Sequence, residues 1–250
     1  MPVVGGQQKN QPLTGVRNAA VLRTLVSCEG KMQKVEALKI VLNCAIQFEN
    51  NLKNKNVLFL YEKDRKIYYI ETAFFSRNFL HLTGLRIANK YTISATEFYS
   101  MCLRKKLSIE HFELSTDGTT RQKLQVLPQV MNIHRNAKMI GYYNGKHPRL
   151  STDIITGTIF SCLGFKEDKK FYVPNTVLKE DIRDVCICPI YKVIGIFTKR
   201  VRDERYNRIS YMNKRYNLNM ITLNENLRSL LENGVISEVG NGSRHTREGT

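Results

Sequence analysis

The sequence predicts an α+β fold in which helices come first and an antiparallel sheet follows. Apolar residues recur at helical spacing between residues 16 and 53, and strand-like runs follow at 57–70. From residue 137 onward the apolar period changes to two, which is typical of strands. Helical segments followed by a series of short strands are the pattern of an α+β domain.

The first predicted helix ends in asparagines and leads into a hairpin. Its apolar residues, spaced by three and four positions, are Val35, Leu38, Val41, Leu42, Ala45 and Ile46. Asn50, Asn51 and Asn54 are expected to close this helix. Residues 57–61 and 66–70 are predicted strands, and the charged turn between them makes them a hairpin.

Two further helices are predicted before the period changes. Ser94 and Glu97 have the spacing of a capping box, so a helix is expected at 94–104. The next helix is expected at 119–132, with a kink or break at Pro128 because proline removes a backbone donor.

Five strand candidates complete the predicted domain. They lie at 138–143, 151–155, 159–165, 171–173 and 193–198. Short turns join most of them, which predicts an antiparallel meander. The expected organisation is a flexible arm at 1–15, a domain at 16–200, a basic helical extension at 201–237 and a disordered tail at 238–250.

The chain carries a strong excess of basic residues. Its 39 Lys and Arg outnumber its 22 Asp and Glu over 250 residues, which gives a formal net charge of +17. This charge favours a nucleic acid, an anionic membrane surface or an acidic protein as the partner. No window of the sequence approaches a membrane span, so no membrane insertion is expected.

The cysteines favour a reducing compartment. They are Cys28, Cys44, Cys102, Cys162, Cys186 and Cys188, and their spacing forms neither a disulfide framework nor paired CxxC motifs. Cys186 and Cys188 lie two apart in a strand-like run, so both are expected on one side of a sheet. We interpret them as buried reduced thiols and not as a metal site, and we expect a cytoplasmic protein.

A basic segment follows the last predicted strand. Its cations are Lys199, Arg200, Arg202, Arg205, Arg208, Lys214 and Arg215, with three tyrosines interleaved and only Asp203 and Glu204 as acids. Cations mixed with aromatic rings suit phosphate contact combined with base stacking. A solvated amphipathic helix is an equally weighted alternative.

One of the five histidines lies in an unusual setting. His81 is flanked by Phe79, Leu80, Leu82 and Leu85, whereas the others fall in turns, beside helices or in the tail. Histidine transfers protons near neutral pH, and a basic chain attracts polyphosphate, so phosphodiester chemistry on a nucleic acid is indicated. A histidine on an apolar segment is also often a core or cap residue without a chemical role.

No motif for metal-dependent or nucleotide-dependent chemistry accompanies His81. HExxH, GxxxxGK[ST] and GxGxxG are all absent, so neither a metal nor a cofactor is expected. RNA can be cleaved without a metal when a base deprotonates the ribose 2′-hydroxyl and cations or hydroxyls stabilise the phosphorane. Side chains of the required types are His81, Thr83, Lys138, Tyr142, Ser151, Thr152, Thr176, Thr198 and Lys199.

Several segments resemble, in chain order, the fourth phage-associated family of barnase–EndoU–colicin–RelE-like nucleases. They lie at 78–85, 138–143, 151–153, 171–183 and 194–199, and the resemblance covers roughly residues 35–200. The FLHLTGL element at 79–85 is the most specific of them.

The resemblance implies a metal-independent RNase with N-terminal helices packed on a four- or five-stranded antiparallel sheet. It implies that His81 is the acid/base residue, that Thr83 is the matching hydroxyl, and that Thr198 and Lys199 bind or polarise phosphate. It assigns no second acid/base residue. The candidates for that role are Lys138, Tyr142 and Tyr172.

Three functions remain open. The leading one is an endoribonuclease from a phage, mobile element or toxin system, with tRNA or another structured RNA as substrate and an inhibitory or activating protein as a further partner. The second is a non-catalytic nucleic-acid-binding factor on the same fold, such as an inhibitor of a host defence complex. The third is a binder of a protein with an acidic face. RNA products with 2′,3′-cyclic phosphate ends would distinguish the first.

Overall fold

The computed structural model of the chain describes residues 32–146, 148–216 and 223–236. The chain divides into two units, Met1–Gln33 and Lys34–Thr250, and every helix and strand described below belongs to the second. The predicted arm at 1–15, the predicted tail at 238–250 and Cys28 lie outside the described residues. Within those residues, no helix combines the length and apolarity needed to cross a lipid bilayer.

The helices are α1 (Lys34–Asn51), α2 (Ser76–Thr83), α3 (Ala95–Leu103), α4 (Thr119–Val130), α5 (Ile133–Asn136), α6 (Ile182–Val185) and α7 (Glu225–Leu230). The capping box predicted at Ser94 is confirmed in part, because the backbone N–H of Glu97 donates to Ser94 Oγ at 3.1 Å. Helix α4 continues through Pro128 to Val130.

The strands are β1 (Lys55–Lys63), β2 (Lys66–Ala73), β3 (Arg86–Ile87), β4 (Phe112–Glu113), β5 (Met139–Tyr142), β6 (Ile154–Gly157), β7 (Cys162–Asp168), β8 (Phe171–Leu178), β9 (Tyr191–Arg200) and β10 (Arg208–Met212). The predicted hairpin and all five predicted later strands are present, with shifted ends. The predicted meander is found as β5 to β8, which pair antiparallel in sequence order.

The main sheet has eight strands, in the order β1-β2-β8-β7-β6-β5-β9-β10, so the expectation of four or five strands was wrong. The extra strands come from the early hairpin and from β10, which all join the same sheet. Strands β2 and β8 pair parallel, and β9 pairs with both β5 and β1. Seven of the strands therefore form a closed ring, which leaves fewer open edges for unwanted pairing.

Side chains of β1 alternate between two cores because successive residues of a strand point to opposite faces. Leu58 and Leu60 pack in a cluster with Tyr206 and Leu227, residues that follow the ring in the sequence. Phe59 points the other way and contacts Phe165 across the ring, with 6.2 Å between ring centroids. The sheet is thus covered on both sides, which fixes the register of β1.

The segment after Arg200 is not the basic helical extension that the sequence suggested. Residues Arg208–Met212 form β10, which pairs antiparallel with β9, and the described residues after it hold only the short helix α7 and a helical turn at 233–236. Tyr206 is fully buried and donates its hydroxyl to Glu71 at 3.0 Å. The amphipathic-helix alternative for 199–216 is therefore wrong, because Ile209 pairs within the sheet and the buried Tyr206 fixes the turn.

Cys186 and Cys188 do not share one face of a sheet. The short helix α6 precedes them, Cys186 is buried beside Tyr143, and Cys188 is exposed before a cis peptide bond to Pro189. The prediction of a strand was wrong here because Pro189 interrupts the run. Buried free thiols are confirmed at Cys44, Cys102, Cys162 and Cys186.

Candidate active site

A basic cleft of about 550 Å³ opens where β1 begins and β9 ends. Its lining consists of Lys55, Thr198, Lys199, Arg200, Asp203, Asn207 and Arg208. Antiparallel pairing assembles it, because Lys55 lies opposite Arg200 and Thr198 lies opposite Arg208. We refer to this site as the basic cleft.

The cations of the basic cleft lack enough acidic neighbours to balance them. Asp203 is the acid among the lining residues, and its carboxylate accepts hydrogen bonds from the Arg200 backbone at 3.1 Å and from Asn207 at 3.2 Å. Burial lowers the pKa of Lys55, and the positive charges of Arg208, Arg135 and Arg200 lower it further. An anion bound here would relieve this repulsion.

A small cavity of about 70 Å³ adjoins the basic cleft and shares three of its residues, Lys55, Thr198 and Arg208. His134 lines it from α5 and is only 4% exposed. Its Nδ1 atom has no hydrogen-bond partner among the described residues. Buried polar atoms of proteins are nearly always paired, so this nitrogen, which is sealed from solvent, is an exception that no described residue satisfies.

The charge state of His134 follows from its surroundings. Burial lowers the pKa of His134 to about 4, assisted by the nearby cations of Arg135, Lys55 and Arg208. The imidazole is therefore neutral at pH 7 and has one nitrogen able to accept a proton.

Two hydroxyl groups complete the cavity. Thr198 Oγ1 and Ser210 Oγ lie 3.1 Å apart on β9 and β10, and either can donate to the other. Because each hydroxyl has a donor and two acceptor lone pairs, this pair can still donate to a bound oxygen.

The end of α1 positions α5 against these strands. Asn51 donates from Nδ2 to the Met131 carbonyl at 3.3 Å and to Asn132 Oδ1 at 3.2 Å. Since Asn51 ends α1 and Asn132 directly precedes α5, this amide holds His134 beside the first residue of β1.

The sequence model of the phage-Barnase-EndoU-ColicinE5/D-RelE like nuclease4 family matches residues 40–215. The chain belongs to this nuclease family. The match contains the whole basic cleft, His134 and the FLHLTGL segment. No curated protein and no solved structure matches the chain significantly.

Membership in this family implies a hydrolytic enzyme, and four predicted residues line the basic cleft. They are Thr198 and Lys199, predicted to bind phosphate, and Arg200 and Arg208, predicted to bind nucleic acid. The Lys199 ammonium is held at one side, where it donates to the Glu204 carbonyl at 2.7 Å and lies 4.8 Å from the Tyr206 ring centroid.

His81 lies on another element, at the end of α2. The ring is exposed and no described residue hydrogen-bonds to it, while the His81 carbonyl accepts a hydrogen bond from Lys123 Nζ at 3.3 Å. Desolvation and the charge of Lys123 lower the pKa of His81. The imidazole is open to solvent, as acid/base chemistry requires, but His81 does not line the basic cleft.

Thr83 closes α2 instead of facing solvent. It is fully buried, and its Oγ1 donates to the Leu80 carbonyl at 2.7 Å and accepts from the Leu85 N–H at 3.1 Å. Gly84 follows in the left-handed region, with φ of 69°. The Thr-Gly pair of the motif thus forms a helix end, and the hydroxyl is occupied by backbone groups.

The two predicted site residues near β5 lie at its two ends, because Lys138 directly precedes the strand and Tyr142 is its last residue. Lys138 Nζ is 3.7 Å from the Tyr211 ring centroid, and Tyr142 is 43% exposed. The structure therefore divides the six predicted catalytic residues among three places: the basic cleft, the end of α2 and the ends of β5.

The remaining predicted nucleic-acid-binding residues lie outside the basic cleft. Arg202 lines a neighbouring groove of about 420 Å³ together with Lys53, Asn54, Lys55, Arg200 and Val201. Arg205, Lys214 and Arg215 are exposed on the segments flanking β10.

Sequence reasoning missed the residues that approach the basic cleft from other elements. These are Lys55, His134, Arg135 and Ser210. His134 was expected to be an exposed residue beside a helix, and no spacing in the sequence connects it with Thr198. Among the described residues, no group of three or more His, Cys, Asp or Glu side chains is placed to hold a metal ion.

Proposed function

We propose that this chain is a metal-independent endoribonuclease that cleaves RNA in the basic cleft by attack of the ribose 2′-hydroxyl on the adjacent phosphate. The observation that carries the proposal is the cavity beside the basic cleft, where His134 shares the lining with cations and hydroxyls of a nuclease-family fold. The substrate class is tRNA or another structured RNA.

Phosphate binding follows from the charges of the basic cleft. Lys55, Arg200 and Arg208 would contact the non-bridging oxygens, where charge increases as the phosphorane forms. The hydroxyl pair of Thr198 and Ser210 would donate to the same oxygens. These groups are held by strands, so little reorganisation is needed during the reaction.

Proton transfer is assigned to His134. Its pKa of about 4 belongs to a cavity that holds several cations. A bound phosphate offsets those cations and stabilises the imidazolium, which raises the pKa of His134 toward neutrality. The neutral ring can then take the 2′-hydroxyl proton as the P–O2′ bond forms, and the 5′-oxygen leaves with a proton from solvent water as the P–O5′ bond breaks. DNA lacks that hydroxyl and would not react.

His81 is the rival proton carrier because the family resemblance implies that role. It offers an exposed ring beside Lys123 but lies outside the cavity that contains the paired hydroxyls. The geometry supports His134 more strongly, and the two assignments make opposite predictions for the same assay.

The assay is cleavage of total RNA by the purified full chain in EDTA, with mapping of the product ends. The expected products carry 2′,3′-cyclic phosphates. His134→Gln is expected to lower the rate by about 100-fold or more, which is the usual contribution of a general base. His81→Ala and the exposed-cation control Lys106→Ala are expected to cleave normally.

Each alternative has its own outcome in this assay. Loss of cleavage in His81→Ala with full activity in His134→Gln would move the reaction centre to the end of α2. Intact RNA at high protein excess, together with salt-sensitive binding, would contradict the enzyme and support a non-catalytic nucleic-acid-binding factor. Circular dichroism of each variant separates loss of chemistry from loss of folding.

A further inference from the structure

Five tyrosines from five different strands meet at the end of the ring opposite the basic cleft. They are Tyr61 of β1, Tyr68 of β2, Tyr142 of β5, Tyr172 of β8 and Tyr191 of β9, and we call them the tyrosine patch. The basic cleft lies at the Lys55 end of β1, and the tyrosine patch lies near its Lys63 end. At the usual rise of a strand, these ends are about 26 Å apart.

The rings of the tyrosine patch are layered. Tyr61 is stacked with Tyr68, with 5.9 Å between centroids and 24° between planes, and its centroid is 5.5 Å from that of Tyr191. Burial raises the pKa of Tyr61, and so do the neighbouring Tyr142, Tyr191 and Tyr172. The buried Tyr61 therefore supports the outer rings from below.

Two of the outer rings face solvent. Tyr68 is 40% exposed and Tyr142 is 43% exposed. Exposed aromatic surface held on a rigid strand costs hydrophobic free energy unless a partner covers it, so such a cluster marks a binding surface.

A lysine accompanies the rings. Lys63 Nζ lies 5.8 Å from the Tyr68 centroid and 5.6 Å from the Tyr191 centroid. A cation beside flat aromatic faces matches a nucleotide, which presents a phosphate beside a flat base. An apolar peptide would gain nothing from the ammonium group.

We propose that the tyrosine patch is a base-stacking subsite that binds unpaired bases of the RNA substrate. The identity of the ligand rests on the proposed function, while the stacking itself is tested separately. Because the patch and the basic cleft lie at opposite ends of β1, the stacked bases are distant from the bond that is cleaved. The subsite therefore selects RNA with a single-stranded segment outside the cleavage position.

The test uses a single-stranded RNA dodecamer with 2′-O-methyl groups throughout, which binds but cannot be cleaved. Tyr68→Ala combined with Tyr142→Ala is expected to weaken the Kd by about tenfold, a typical effect of losing aromatic stacking. Tyr68→Phe combined with Tyr142→Phe is expected to retain the affinity, since stacking needs the ring and not the hydroxyl.

A matched control is available on another part of the fold. Tyr91 also contacts another ring, with 4.7 Å between its centroid and that of His111 and 44° between the planes, and it also has a lysine over its ring, Lys90 at 5.1 Å. Tyr91→Ala is expected to leave the dodecamer affinity unchanged. An equal loss in this control would mean that any aromatic pair contributes, and would overturn the proposal.

An abasic dodecamer with the same phosphates serves as a second ligand, so that two proteins can be compared on two ligands. The wild-type chain is expected to bind it about tenfold more weakly than the normal dodecamer, and the Tyr68→Ala/Tyr142→Ala variant to bind both alike. If removal of the bases weakened binding equally in both proteins, the result would contradict stacking at the tyrosine patch. Base-dependent binding without cleavage of unmethylated RNA would leave the subsite standing and remove only the nuclease activity.

Discussion

At the scale of single residues, the uncharged imidazole of His134 is as informative about the site as the many charged side chains. Among the described residues that line its cavity, no acid compensates the positive charges of Lys55, Arg135 and Arg208, so the cavity disfavours a positive His134 imidazole. The cations that favour binding of an anion also lower the pKa of His134. The free energy of unfolding must therefore fall in acid.

This sensitivity gives a prediction for stability. The pKa of His134 is about 4 when folded and near its usual value of 6.5 when unfolded, so the unfolded chain binds the additional proton between these values. Stability is fully present above pH 6.5 and falls as the pH drops to 4, by about 3 kcal/mol from this residue. In urea unfolding across this pH range, the free energy of unfolding is expected to fall less in His134→Gln than in the wild-type chain.

At the scale of elements, the ends of helices determine where the histidines point. Helix α2 stops at Thr83 because Gly84 adopts a left-handed conformation and the Thr83 hydroxyl bonds to the backbone. A side chain at position 84 would meet Lys123 Cδ at 2.9 Å and Thr120 Cα at 3.3 Å. The glycine of the motif is thus required for both conformation and space.

These two requirements can be separated by a pair of substitutions. Gly118 also has a positive φ, of 82°, but no atom lies within 4 Å of an added Cβ. Gly118→Ala is expected to cost about 1 kcal/mol of unfolding free energy from backbone strain alone. Gly84→Ala is expected to cost at least 1 kcal/mol more, because Lys123 and α4 must shift. Equal losses in thermal or urea unfolding would show that the contact is unimportant.

Local elements were predictable to a useful extent. The hairpin, the cap at Ser94 and the meander follow from period and turn signals, which depend on neighbouring residues. The contacts β1–β9 and β2–β8 join residues one hundred or more positions apart, and no local pattern specifies them. The same limit applies to the candidate site: Thr198 and Lys199 were recognised in a strand motif, whereas His134 reaches the cavity beside the basic cleft only through tertiary packing.

At the scale of the whole molecule, the effect of the net charge of +17 on binding depends on where the cations lie. Cations outnumber acids among the residues that line the basic cleft and the groove beside it. Long-range attraction from the remaining surface would accelerate the approach of RNA, and the cations of the basic cleft would hold the bound phosphates.

The dependence of RNA affinity on salt tests this distribution. For the 2′-O-methyl dodecamer, the slope of log K against log salt is expected to become shallower by about 0.7 in Arg208→Ala, as one phosphate contact is lost. Lys106→Ala removes an exposed charge elsewhere and is expected to leave the slope unchanged. Identical slopes in Arg208→Ala and the wild-type chain would exclude Arg208 as a phosphate contact.

The closed ring has a consequence for biosynthesis. Lys55 and Arg208 meet in the basic cleft only after β9 and β10 have both left the ribosome, because both residues pair with β9 and Arg208 itself lies on β10. A nascent chain that ends before Arg208 therefore has no complete phosphate site. The proposed cleavage of RNA would therefore have to wait until the ribosome has passed residue 208.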